Sequence, residues 1–226
     1  MQPNPVRARP ISPVLCVEGV SCVRRGRYLF ENLGFSLSVG GVVVLAGANG
    51  CGKSSLLKIL AGLLRPDAGT IKFQEREILT SSDFHGDVLY LGHKNAVKAE
   101  ASVRDNIFFW ADITGNAMLA AMAVEYFSLG PWLDMPAGML SAGWQRRVAL
   151  SRLISMPAAL WLLDEPMNNL DAEGAALLSE LIRTRTQAGG AVVMVSHGLP
   201  DEMISRQHGL HVLQVADFRP AMQEEI

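Results

Sequence analysis

Apolar and polar positions alternate with a period of two across "VLCVEGVSCV" and again across "FSLSV", predicting two half-buried strands. The unbroken apolar run Val42–Ala46 predicts a third strand, buried on both faces, and glycine-rich sequence follows it. Helical spacing then begins at Lys53 and runs to about Leu63, stopping at "GLLRPDAGT", where Pro66 and Gly69 make a turn before the short strand "TIKF". Another strand, Val88–Leu91, leads to His93, which opens a polar loop. From Val103 to about Phe127 the spacing is mainly helical; "LGPWLDMPAG", with two prolines and two glycines, breaks it, and a helix restarts near Ala142. The apolar runs "AALWLL" and "AVVMVS" have strand length, end in polar chemistry and flank the helical "AEGAALLSELIRTR". The whole is a βα-alternating chain, of α/β class, with a helical insertion and no internal repeat.

A length of 226 residues suits one domain with attached subdomains better than two independent domains. Nearly half the residues are hydrophobic and the formal net charge is -2, so there is no broad basic surface and no nucleic-acid partner is expected. Cys16, Cys22 and Cys51 have no metal-ligand spacing and fit buried thiols in a reducing compartment. The proline-rich start has no apolar core and is expected to be a flexible leader over residues 1–13. No charge falls between Asn32 and Gly52, but six glycines, two serines and two asparagines interrupt that window, so it is not a membrane span.

"GANGCGKSS" fits G-x-x-x-x-G-K-[ST] between a strand and a helix, the setting of a phosphate-binding P-loop. The residues concerned are Gly47, Ala48, Asn49, Gly50, Cys51, Gly52, Lys53, Ser54 and Ser55. Glycines let backbone N–H groups converge on the phosphates of ATP, the helix turns its positive end toward them, Lys53 adds a point charge and Ser54 offers a hydroxyl to Mg²⁺. A glycine-rich turn with an incidental lysine is the plainer alternative. In "AALWLLDEP", Asp164 ends an apolar strand, where a carboxylate is costly unless it serves a cation, so it pairs with Ser54 as a Mg²⁺ ligand. Glu165 is the candidate general base for water attacking the γ-phosphate. Two solvated carboxylates at a strand end are the alternative here.

Between these motifs lies "MLSAGWQRRVALSRLI", and with it the sequence resembles the ATP-binding cassette (ABC) family. "LSAG", Leu140, Ser141, Ala142 and Gly143, is similar to the signature motif; "NNLD", ending at Asp171, to the D-loop; "VSH", ending at His197, to the switch histidine. The resemblance implies a P-loop NTPase fold over residues 14–213, with an antiparallel β subdomain, a helical subdomain at about 95–150 and a C-terminal tail, 214–226. It also implies a head-to-tail homodimer, in which Ser141, Gly143 and Asp171 reach the ATP held by the opposite subunit. Read alone, Ser141 and Asp171 are ordinary helix caps, and His197 an ordinary histidine.

Departures from the family pattern narrow the resemblance. Where an aromatic usually stacks on adenine, the spacing falls on Arg24 or Arg25, and a guanidinium can also stack on a base. Trp144 stands where glutamine is usual in the signature. His93 aligns with the Q-loop glutamine, which implies contact with Mg²⁺ and the attacking water. "YLGH" together with "LSAG" and "QRRVALSRL" resembles the haem-exporter ATPases of cytochrome c maturation. That implies a peripheral protein on the cytoplasmic face of the inner membrane, bound to a haem exporter B-like integral membrane subunit and further maturation proteins. ATP hydrolysis there would release a haem-loaded chaperone. The ATPase of another transporter, a soluble cassette ATPase and a non-catalytic nucleotide-binding scaffold remain as alternatives.

Overall fold

The computed structural model describes residues 14–80, 84–196 and 210–220; the expected leader, His197 and the end of the tail lie outside these. Four strands, β1 (Leu15–Arg24), β2 (Arg27–Leu37), β4 (Ala68–Phe73) and β5 (Arg76–Glu77), form an antiparallel sheet in the order β2-β1-β4-β5. Five others, β3 (Val42–Ala46), β6 (Val88–Leu91), β7 (Leu160–Asp164), β8 (Ala191–Val195) and β9 (Leu210–Gln214), form a parallel sheet in the order β6-β7-β8-β3-β9.

The parallel sheet separates two cores. Leu160 and Leu162 of β7 and Val193 and Val195 of β8 face α1 (Lys53–Leu60) and the antiparallel sheet. Trp161, Leu163, Val192 and Met194 face the opposite way, toward α3 (Val103–Ile113), α4 (Ala117–Tyr126), α5 (Ala142–Leu150), α6 (Arg152–Ser155) and α7 (Ala172–Gln187). Both faces being covered explains why these strands read as unbroken apolar runs. A short helix, α2 (Phe84–Asp87), precedes β6.

Several boundaries differ from the sequence reading, β2 among them, which begins at Arg27, well before "FSLSV". The helix expected over 103–127 is two: Thr114 caps the first, and the Asn116 side chain accepts from the Met118 amide to start the second. These polar caps outweigh the apolar spacing that runs through them. α1 ends at Leu60, before Gly62 at φ 70°. β9 was not foreseen: "LHVLQ" is mostly exposed on an edge strand and carries no clear apolar repeat, yet Val215 just beyond it is fully buried.

Where β1 bulges between Glu18 and Ser21, its backbone crowds Gly69 on β4. A Cβ on Gly69 would lie 2.5 Å from the Gly19 carbonyl and the Val20 nitrogen, at φ +89°. Backbone cannot yield as a side chain can. Gly69→Ala should therefore cost roughly 2 to 3 kcal/mol in denaturant unfolding, whereas Gly86→Ala, which meets nothing within 4 Å, should stay near wild type.

Candidate active site

All five strands of the second sheet run parallel, so their C-terminal ends open on one edge, where ligands of such sheets bind. β3 delivers residues 47–55, β6 delivers His93, and β7 delivers Asp164 and Glu165. Asp164 pairs in register with Val195 of β8, two residues before His197.

The loop after β3 turns through Gly47, Gly50 and Gly52, all at positive φ. No side chain caps α1, so the N–H groups of its first turn meet the loop from below. Lys53 is nearly buried and donates to the Gly47 and Ala48 carbonyls at 2.7 and 3.0 Å, so its ammonium sits within the loop. Cys51 is buried under Gly47, a packing role. Cys22 is buried and Cys16 half-buried; burial pushes both thiols up, away from reactive thiolate.

Ser54 Oγ donates to Asp164 Oδ1 at 3.2 Å, across 110 residues of sequence. Asp164 is 3 % exposed. A hydroxyl and a carboxylate at hydrogen-bond distance are hard oxygen donors suited to Mg²⁺. Among the described residues no cluster of three or more His, Cys, Asp or Glu offers a rival metal site. Tyr90, one strand over, is pushed up to about 12 by burial and then by the charge of Asp164, so its hydroxyl stays protonated.

Glu165 stands at φ 50°, its amide bound to the Val195 carbonyl at 3.1 Å. Asn168 Nδ2 donates to its Oε2, and His93 Nδ1 lies 3.9 Å from that oxygen. His93 is mostly exposed while Glu165 is largely covered, so the imidazole borders the carboxylate from the solvent side.

Ser141 caps α5, accepting from the Trp144 amide at 3.4 Å; Ala142 and Gly143 open that helix, and Leu140 is buried behind it. Asp171 caps α7 through the Gly174 amide at 2.9 Å and takes Arg147 Nη2 at 2.7 and 3.0 Å. Arg147, first by hydrogen bond, and then the Gly174 amide hold the Asp171 carboxyl below the usual range. A depressed folded value means that the pair's contribution is present at neutral pH and is lost in acid, as pH falls through that value. Burial alone would lower Arg147, but its bonds to Glu173 and Asp171 more than offset this. Trp144 packs beside Trp132 at 5.6 Å and beneath the Arg147 guanidinium at 4.6 Å, so it serves helix packing. Arg24 is tied to the Val23 carbonyl and lies 3.7 Å from Asp67, while Arg25 occupies the hairpin turn.

The sequence profile described as "ABC transporter" matches residues 30–168. The chain belongs to the ABC transporter family. It is 43% identical over 188 residues to "Cytochrome c biogenesis ATP-binding export protein CcmA" of Paramagnetospirillum magneticum, covering 80% of this chain and 86% of that one. With the protein of the same description from Idiomarina loihiensis it shares 40% over 210 residues, 89% of this chain and 96% of the other. Two solved structures carry the fold: an "ATP binding subunit of ABC transporter" (TM-score 0.78, 21% identity, 90% and 87% of the two chains) and a putative ABC transporter ATP-binding protein from Pyrococcus furiosus (0.76, 22%, 91% and 98%). As an ABC ATPase the chain is an ATP-hydrolysing transporter subunit, and no helix among its described residues is long and apolar enough to cross a membrane.

Three polar residues of this ABC domain escaped the sequence reading: Asn168, Asn95 and Arg146. Asn168 stood inside the quoted "NNLD", but nothing in the spacing aims its amide at Glu165. Arg146 lay in "QRRVALSRL", and a helical arginine gives no sign in sequence that it is buried.

Proposed function

We propose that the chain is the ATPase of a membrane-bound complex serving cytochrome c assembly, acting as a head-to-tail homodimer on the cytoplasmic face of the inner membrane. The observation that carries the ATPase chemistry is the convergence of Lys53, the Ser54–Asp164 pair and Glu165 at one sheet edge. The cytochrome c role rests on identities of about 40% to CcmA proteins over most of the chain.

In this reading the amides of residues 47–55 and the Lys53 ammonium bind the phosphates, while Ser54 and Asp164 hold Mg²⁺. Magnesium supplies charge neutralisation on the β- and γ-phosphates when bound. Glu165 takes a proton from the attacking water as the oxygen reaches the γ-phosphorus, and ADP departs as leaving group. Asn168 and His93 border one carboxylate oxygen, Oε2, and set the orientation of the group. Ser141 and Gly143 meet the γ-phosphate of the opposite subunit, with Asp171 beside them, and His197 is the switch histidine that the family resemblance implies. The membrane partner, a haem exporter B-like subunit, contacts the loop 94–100.

Co-purification from detergent-solubilised membranes, with phosphate release assayed on the captured complex, tests this. The chain is expected to bring down an integral membrane protein of the cytochrome c assembly machinery. Capture of an unrelated permease, or of none, would overturn the assignment. In the same assay His93→Gln should retain hydrolysis, since an amide can fill the same place, while His93→Ala should lower it. Equal rates in all three proteins would remove His93 from the site.

A further inference from the structure

Arg146, on α5, is 2 % exposed, and every one of its five N–H donors is used. Nε donates to the Pro166 carbonyl at 3.1 Å, and Nη2 to the Asp164 and Glu165 carbonyls at 3.3 and 2.9 Å. Nη1 turns the other way, to the Gly92 carbonyl at 3.4 Å and Asn95 Oδ1 at 3.0 Å. Three bonds thus hold the backbone that presents Glu165, and two hold the loop on either side of His93.

None of these acceptors is a carboxylate, so the guanidinium is buried among neutral oxygens, an expensive arrangement where packing alone is needed. Of its buried neighbours on α5, Val148, Ala149 and Leu150 are apolar, and Arg147 is paired with the carboxylates of Asp171 and Glu173. Burial lowers its pKa to about 10 against the opposing pull of Asp164 and Glu165, so it remains charged at neutral pH. Lysine, with three donors on one nitrogen, cannot span both segments; the planar guanidinium can. At its far end the loop is fastened separately, by Asn106 bonding the Lys98 amide and carbonyl at 2.8 and 3.0 Å. Between Gly92 and Asn95, Arg146 hydrogen-bonds the loop to the strand end, beside the 3.9 Å approach of His93 Nδ1 to Glu165 Oε2.

We propose that Arg146 is a positioning residue that locks the His93 loop to the backbone carrying Glu165, so that displacement of this loop moves the base. The inference rests on the reading of Glu165 as the base. A force on the exposed loop would reach the backbone that carries Glu165 through the Arg146 guanidinium, besides the approach of the His93 imidazole to the carboxylate itself. Nucleotide binding, made by the loop after β3, should be left untouched.

Mg-ATP affinity, by titration with a fluorescent ATP analogue, and kcat should be measured for wild type, Arg146→Lys, Asn95→Ala, the double variant and Glu165→Gln. Arg146→Lys should keep affinity within about twofold and lose kcat by about 10- to 100-fold, the scale expected of a slightly misplaced catalytic group. Asn95→Ala, losing one bond, should cost about threefold in kcat. The double variant should be no slower than Arg146→Lys alone, because the two act through one link. A wild-type kcat in Arg146→Lys, multiplicative losses in the double variant, or affinity falling with kcat would each overturn the proposal. Should Arg146→Lys fail to fold, Asn95→Ala decides: unchanged kcat overturns the link. Rapid turnover by Glu165→Gln would instead refute the base assignment, a result distinct from an inactive Glu165→Gln beside a normal Arg146→Lys.

Discussion

Glu165→Gln is expected to bind ATP like wild type and to turn it over roughly 10²- to 10⁴-fold more slowly, the range for loss of a general base. The amide preserves size and can still bond Asn168, so the local fold should persist; what disappears is the capacity to take a proton. With hydrolysis blocked, the ATP-bound dimer should accumulate and be visible by size-exclusion chromatography with Mg-ATP. Turnover within a fewfold of wild type would leave the reaction without its assigned base.

Gly143→Asp is expected to abolish hydrolysis by a subunit pair. A Cβ at this position would come 2.8 Å from the Asn169 carbonyl, so any side chain pushes the start of α5 away from the loop before α7. The added carboxylate also brings negative charge to where the proposed dimer places a γ-phosphate. Lys53→Ala should be inactive for a different reason, loss of the phosphate-binding charge. Mixing these two inactive proteins should restore activity up to roughly a quarter of wild type, since half the dimers are mixed and each keeps one composite site of two. No recovery, with mixed dimers demonstrated by differently tagged subunits, would refute a shared site.

The parts of the site legible in sequence are those written contiguously. Residues 47–55 announce themselves because phosphate binding needs glycine, lysine and serine at fixed spacing on one turn, and Asp164 because a carboxylate ends a five-residue apolar strand. The α/β class and the βα alternation follow from the same hydrophobic runs. Asn95, Arg146 and Asn168 could not be read this way: their partners are set by tertiary packing, and each alone is an ordinary polar residue of a loop or helix. Asp171 was legible as a cap, but its double engagement with Arg147 needed the three-dimensional approach of α5 to α7. The Thr114–Asn116 break was missed because apolar periodicity outweighed the local cap signals in the reading, whereas the chain obeys the caps.

The order β6-β7-β8-β3-β9 also governs how the chain is made. β3 leaves the ribosome early, yet both of its neighbours in the sheet, β8 and β9, come from residues 191–214. The strand that feeds the phosphate loop therefore has no strand partner until residues 191–214 have been synthesised. Long-range parallel pairing of this kind is slow to form and leaves apolar edges open meanwhile. Nascent chains stalled before residue 191 should thus depend on chaperones, and nucleotide binding should appear only once residues 191–214 have emerged.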